Sequence, residues 1–201
     1  MSTSTNVTWH AADLPHDERE HLIGQKGCVV WFTGFSGAGK STVARRVEAL
    51  LLRRGRTAYV LDGDNLRMGL NGDLGFSDAD RTENIRRVGH LAQLFADAGV
   101  ITLTAFISPF RTDRASARAL LPEGRFLECY VATSLEECER RDPKGLYKKV
   151  RAGVIGEFTG ITSPYEPPES PEILLLTEGR EVDDVAGEVV DRLEALGLLG
   201  A

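Results

Sequence analysis

Apolar residues fall in short runs separated by longer amphipathic stretches. Cys28-Val29-Val30-Trp31-Phe32-Thr33 is apolar almost without a break. A run this short and continuous predicts a strand covered on both faces, as in a parallel sheet. Residues 57–61, 100–107, 126–131 and 173–177 read as four further strands. Between them the apolar spacing lengthens to that of a helix. Val43, Val47, Leu50 and Leu51 form one face over residues 41–54. Ile85, Val88, Leu91, Ala92 and Phe95 form a stripe over residues 80–97, with Gly99 as its stop. Residues 112–120, 134–141 and 182–196 read as helices, and 17–21 as a helical turn. Residues 62–77 are rich in Gly and Asn and read as loop with room for a short helix. Strand–helix alternation predicts one α/β domain, with a mainly parallel five-stranded sheet flanked by helices.

Residues 142–171 break the alternation. They combine basic residues and glycines with a proline-rich end. The segment is too irregular for a core element and too long for an ordinary connection. It is expected to be a basic, mobile segment that covers a substrate. Residues 1–26 are polar and read as an N-terminal extension to a domain spanning 27–201.

Composition narrows the function classes. The chain has 201 residues, 42% hydrophobic and 27% charged, which favours one domain with a true core. Its 24 Lys and Arg against 30 Asp and Glu give a net charge of -6. That balance speaks against a nucleic-acid-coating protein, while leaving room for a local basic pocket. Cys28, Cys129 and Cys138 form no CxxC pair and read as scattered small apolar residues. No apolar run approaches the ~18 residues of a membrane span. The first residues lack a basic segment followed by an apolar one, so the expected location is the cytoplasm.

The chemistry begins after the first strand. Gly34-Phe35-Ser36-Gly37-Ala38-Gly39-Lys40-Ser41 satisfies GxxxxGK[ST], between a predicted strand and a predicted helix. Gly34, Gly37 and Gly39 permit tight backbone turns and close approach of a phosphate. Amide groups from Ser36 through Ala38 and the helix start can cradle its oxygens. Lys40 is expected to reach the terminal phosphates and Ser41 to bind Mg²⁺, with Thr42 ordering the helix start. No NKxD guanine-reading motif is present. A small-molecule kinase using ATP is the natural reading.

A second site follows the second strand, at Asp62-Gly63-Asp64-Asn65-Leu66-Arg67. Asp64 is placed to orient or deprotonate an acceptor hydroxyl. Asp62 acts through Mg²⁺ and water, or fixes the loop. Arg67, Arg81, Arg86 and Arg87 add positive charge, and Arg81 and Asn84 share a helix face. With the Lys144-Gly145-Leu146-Tyr147-Lys148-Lys149 segment they favour an anionic acceptor. Ser108, in Ile107-Ser108-Pro109-Phe110-Arg111, contacts phosphate or sulfate, becomes phosphorylated, or bonds locally to backbone.

Together the blocks resemble the adenylylsulfate kinase family. They are WFTGFSGAGKST from Trp31, LDGDNLR from Leu61, GLNGDLGFS from Gly69 and DRTENIRRV from Asp80. FISPFRTDR from Phe106, RDPKGLYKKVRAG from Arg141 and FTGITSPYEPPESPE from Phe158 complete the series. The resemblance covers nearly the whole chain. It implies a P-loop kinase fold and transfer of the γ-phosphoryl of ATP to the 3′-hydroxyl of adenosine 5′-phosphosulfate. It implies Asp64 beside the acceptor ribose, with Arg67, Arg81 and Asn84 holding the acceptor. It further implies Phe76 and Phe158 around the acceptor adenine, and Ile107, Ser108, Lys144 and Leu146 in the same region. A homodimer is implied, and a functional association with ATP sulfurylase, which supplies adenylylsulfate. The chain departs from the family at Val150 and Glu157, where a small residue and a glycine are common. The competing readings are a P-loop kinase for another nucleotide or small anionic metabolite, and a noncatalytic nucleotide sensor.

Overall fold

The structure, a computed structural model, describes residues 6–8, 10 and 12–200. At its centre is β1 (Cys28–Thr33), buried along its whole length. The other strands are β2 (Ala58–Asp62), β3 (Ile101–Ala105), β4 (Phe126–Val131) and β5 (Ile173–Leu175). They form one five-stranded sheet of order β2-β3-β1-β4-β5 in which every pairing is parallel. The register sets Val30 opposite Leu103 on one side and Leu127 on the other.

The continuous apolar run of β1 has a direct cause: its alternate residues feed two cores. Cys28, Val30 and Phe32 meet α2 (Lys40–Arg53) and α8 (Val182–Ala195) through Val43, Val47, Leu51, Val189 and Leu193. Val29 and Trp31 meet α4 (Asp78–Asp97) and α5 (Arg111–Arg118) through Ile85, Val88, Ala92 and Ala117. A helix layer on each face is what a parallel sheet requires. The order reverses at β1, and the crevice outside its carboxyl end is where α/β folds bind ligands.

Most elements lie within two residues of their predicted bounds. Helix α4 starts at Asp78 instead of residue 80, because Ser77 caps it by accepting from Asp80 N. The strand expected over 100–107 ends at Ala105, and the one expected over 173–177 ends at Leu175. The short helix allowed after β2 is α3 (Gly63–Arg67).

Residues 142–171 correct the expectation of a segment without core elements. They contain α7 (Leu146–Arg151), whose Tyr147 and Val150 are buried and join Phe158 in the α2–α8 core. Leu146, Tyr147 and Val150 have helical spacing, but only over six residues, too few to stand out by period. Helix α6 (Leu135–Arg141) precedes this segment.

The amino ends of the strands are tied down separately. Helix α1 (His16–Ile23) is held by an Arg125–Glu20 ion pair of 2.7 Å, and Arg19 donates to Asp97 O across 2.8 Å. Gln25 donates to Thr57 O and Gly99 O, both across 2.8 Å. Lys26 N donates to Leu198 O across 2.9 Å, so the segment entering the sheet meets the segment leaving it. Among the described residues no helix is long and apolar enough to cross a membrane.

Candidate active site

Past β1 the chain turns into α2 through a loop whose glycine positions resist ordinary side chains. Gly34 has φ 144°, and a Cβ there would lie 2.6 Å from Val131 O. Gly39 caps α2 with φ 103°. Such a loop brings backbone close to whatever occupies the crevice, at a helix start whose first N–H groups lack intrahelical partners. Residues 36–42 line a cleft of about 860 Å³, and Gly34 is not among its lining.

Lys40 is the first residue of α2 and is 8% exposed. Its Nζ donates to Gly34 O across 2.9 Å and Phe35 O across 2.6 Å. Burial pushes its pKa down to about 8. Phosphate oxygens entering the loop offer this ammonium a stronger, charged partner than the two carbonyls.

At the carboxyl end of β2, Asp62 is buried and caps α3, its Oδ1 accepting from Asp64 N across 3.0 Å. Its Oδ2 lies 3.7 Å from Arg45 Nη2. The Oδ1 bond ties Asp62 to its own loop, while Oδ2 has only the longer Arg45 contact. Asp64 is exposed and ion-paired to Lys144, which reaches over from the 142–171 segment.

Three elements build the wall beyond Asp64. Arg67, at the end of α3, donates to Leu74 O and Gly75 O across 3.0 and 2.8 Å, with its guanidinium 4.4 Å from the Phe76 ring centroid. Arg81, in the first turns of α4, donates from Nε to Phe76 O across 2.8 Å and from Nη1 to Thr159 Oγ1. Its Nη2 lies 3.4 Å from Glu157 O, so the departure at Glu157 contributes through its backbone. Asn84, one turn on, is buried against Asn71. Ser108 follows β3 with φ 41° and accepts from Trp31 Nε1 across 3.0 Å. That partner is a side chain, not the local backbone expected as one alternative.

Ile107, Leu146, Phe76 and Phe158 also line the cleft. The two phenylalanines differ in setting. Phe76 is 65% exposed, whereas Phe158 is 7% exposed and packs edge-on against Tyr147 at 4.9 Å between centroids. Thus the predicted phosphate-loop residues other than Gly34 lie on one cleft with Asp62, Asp64, Arg67, Arg81, Asn84, Ser108 and Lys144.

The broader basic patch is not part of it. Arg86 pairs with Glu83, and Arg87 with Glu83 and Asp73, away from the cleft. Lys148 and Lys149 are exposed outside it as well, leaving Lys144 as the lysine of that segment on the cleft. Helical geometry explains this, since residues adjacent in sequence point in different directions.

Sequence reasoning missed two residues beside the phosphate loop. Tyr147 donates its hydroxyl to Ser36 O across 2.9 Å, tying α7 to the loop. Arg141, held by Glu137 across 2.7 Å, lies 3.3 Å from Thr177 Oγ1 and lines the cleft. Both stand in the RDPKGLYKK block, but no spacing rule singles them out.

Among the described residues no group of three or more His, Cys, Asp or Glu is arranged to hold a metal. Ser41 and Asp62 are oxygen donors on the same cleft.

A glycine-bound phosphate loop with a buried lysine, facing a cationic wall across a carboxylate, defines a P-loop phosphotransferase that binds a nucleotide and an anionic second substrate. Known proteins narrow the class. The family model for adenylylsulphate kinase matches residues 26–176. A probable adenylyl-sulfate kinase of Bacillus subtilis is 52% identical over 199 residues, covering 99% of this chain and 100% of its own. The adenylyl-sulfate kinase of Prochlorococcus marinus is 53% identical over 196 residues, 98% of each chain. A solved structure of the Mycobacterium tuberculosis APS kinase CysC in complex with AMPPNP and APS is 55% identical with a TM-score of 0.81. It matches 85% of this chain and 99% of that one. The chain belongs to the adenylylsulfate kinase family.

Proposed function

We propose that the protein transfers the γ-phosphoryl group of ATP to the 3′-hydroxyl of adenosine 5′-phosphosulfate, giving ADP and 3′-phosphoadenosine 5′-phosphosulfate. The observation that carries this reading is the meeting of the phosphate loop and the Arg67–Arg81–Asn84 wall on one cleft, with Asp64 among its lining. Family membership supports the same reaction.

Each side chain has a task. Residues 36–41 hold the ATP phosphates, and Lys40 exchanges its carbonyl partners for phosphate oxygens. Ser41 and Asp62 hold Mg²⁺, which when bound neutralises charge on the phosphates. Arg67, Arg81 and Lys144 meet the phosphosulfate and Asn84 adds a polar contact, while Phe76 and Phe158 flank the acceptor adenine. Asp64 accepts the 3′-hydroxyl proton as the new O–P bond forms and the bond from the β–γ bridging oxygen to the γ-phosphorus breaks. That proton passes to solvent. Lys144 releases Asp64 for this step and turns to the acceptor's anionic end. Direct transfer to the acceptor needs no phosphorylated Ser108. Arg141 lies on the nucleotide side of the cleft.

The protein works as a homodimer in the cytoplasm and takes its acceptor from ATP sulfurylase. The test is turnover of adenylylsulfate with Mg²⁺-ATP, with the product read by mass and phosphorus NMR. A 3′-phosphate with sulfate retained is expected. A folded protein that releases no ADP with adenylylsulfate, yet does so with another acceptor, would overturn the assignment. No turnover with any acceptor, despite ATP binding, would favour the sensor.

A further inference from the structure

Two fully buried side chains behind the cleft hydrogen-bond to residues on its wall. Neither Trp31 nor Asn71 has any exposed surface, and neither lines the cleft. Trp31 gives its indole N–H to Ser108 Oγ across 3.0 Å. An indole nitrogen only donates, so Ser108 Oγ must accept there. The hydroxyl has one proton, and no described side chain or carbonyl takes it. It is left for the cleft. The Ser108 backbone is held as well, since Arg114 Nη1 donates to its carbonyl across 2.7 Å.

Asn71 does the same for Asn84. Its Nδ2 donates to Asn84 Oδ1 across 2.9 Å. With its oxygen engaged, Asn84 presents its NH₂ to the cleft, where it has no partner among the described residues. In this orientation one buried atom of Asn71, Oδ1, has no partner. Reversing the pair would leave both protons of the buried Asn71 NH₂ unpaired, where one is paired now.

We propose that Trp31 and Asn71 are positioning residues that make Ser108 and Asn84 hydrogen-bond donors toward the second substrate. The wall then suits a group that presents only acceptor oxygens, such as a sulfate or phosphate ester, and rejects one that presents protons. This rests on the acceptor reading above and identifies what sets its selectivity beyond the charges of Arg67, Arg81 and Lys144.

The test uses Trp31→Phe, which keeps a ring but removes the donor, and Asn71→Asp, which demands a donor from Asn84 and turns its oxygen to the cleft. Affinities for adenylylsulfate and for a nonhydrolysable ATP analogue are measured separately, with the fold checked by thermal melting. Each folded variant is expected to lose on the order of tenfold in adenylylsulfate affinity and less than about twofold in that for the analogue. On an Asn84→Ala background, Asn71→Asp is expected to cause no further loss, whereas a merely structural Asn71 would cause it again. Should Asn71→Asp fail to fold, Asn71→Leu is compared on the same two backgrounds, with the same outcomes.

In the unsubstituted protein without ligand, the Trp31 indole proton is expected to be protected from exchange and to lose that protection in Ser108→Ala. Adenylylsulfate affinity unchanged in folded Trp31→Phe and Asn71→Asp would overturn the proposal, as would an unprotected indole proton. An unsubstituted protein that binds the ATP analogue but not adenylylsulfate would overturn the acceptor reading instead. The exchange measurement still decides whether Trp31 directs Ser108.

Discussion

Lys40 is a charged group held where water scarcely reaches, and its pKa of about 8 is the signature of that cost. Phosphate at the loop favours the charged form and restores a higher value. ATP affinity is therefore expected to be full below about pH 8 and to fall as pH rises through it. Over the same alkaline range binding takes up a proton. Calorimetry in buffers of different ionisation enthalpy, near pH 9, reads that uptake, and its absence would remove Lys40 from contact with phosphate. Asp64 has a different part. Asp64→Asn keeps the shape and loses the carboxylate proposed as base, so the rapid-quench rate of transfer is expected to fall about 100-fold or more while ATP affinity changes little. Transfer at the unsubstituted rate would return the role of base to Asp62 or solvent. These side chains were legible from sequence because each stands in a short block whose spacing carries its chemistry. Trp31 and Asn71 were not, because their contributions depend on partners 77 and 13 residues away.

Elements were legible where the apolar period ran long enough. β1 and β4 have the bounds their runs predict, and α4 differs only at its capped start. Helix α7 was lost because a helix of six residues has less than two turns in which to show a period. Its consequence falls on Phe158, which belongs both to the core and to the cleft wall. Removing the ring outright confuses the two roles, since Phe→Ala in a core costs roughly 3–5 kcal/mol. Phe158→Leu retains apolar volume and loses the flat face. It is expected to weaken adenylylsulfate binding by about tenfold, within the 1–3 kcal/mol typical of base–aromatic stacking, with little change in melting temperature. Equal losses for adenylylsulfate and the ATP analogue would make Phe158 a packing residue only.

At the scale of the molecule, the cleft joins pieces far apart in sequence. Lys144 pairs with Asp64, Arg81 with Thr159 and Tyr147 with Ser36, so the 142–171 segment bridges both halves of the site. Ligands that contact both sides add further bridges. Hydrogen exchange over residues 142–171 is expected to slow more with adenylylsulfate and the ATP analogue together than with either alone. Equal protection by the ATP analogue alone would show that the acceptor does not engage this segment. The overall α/β architecture was legible because alternation of period is a whole-chain property. Which lysines and arginines turn inward was not, because that is decided by helix rotation and by acidic neighbours such as Glu83 and Asp73.

The Lys26–Leu198 hydrogen bond lies at the amino ends of the strands, and β1 alone separates that pole from the phosphate loop by about 20 Å. The route into the sheet and the route out of it share one side of the molecule, and the chemistry occupies the other. The order in which the strands are threaded is thus separable from the catalytic surface they build. A circular permutant with those two routes joined by a flexible linker, and with new termini cut between the exposed Glu123 and Gly124, would keep all four strand pairings and leave the cleft untouched.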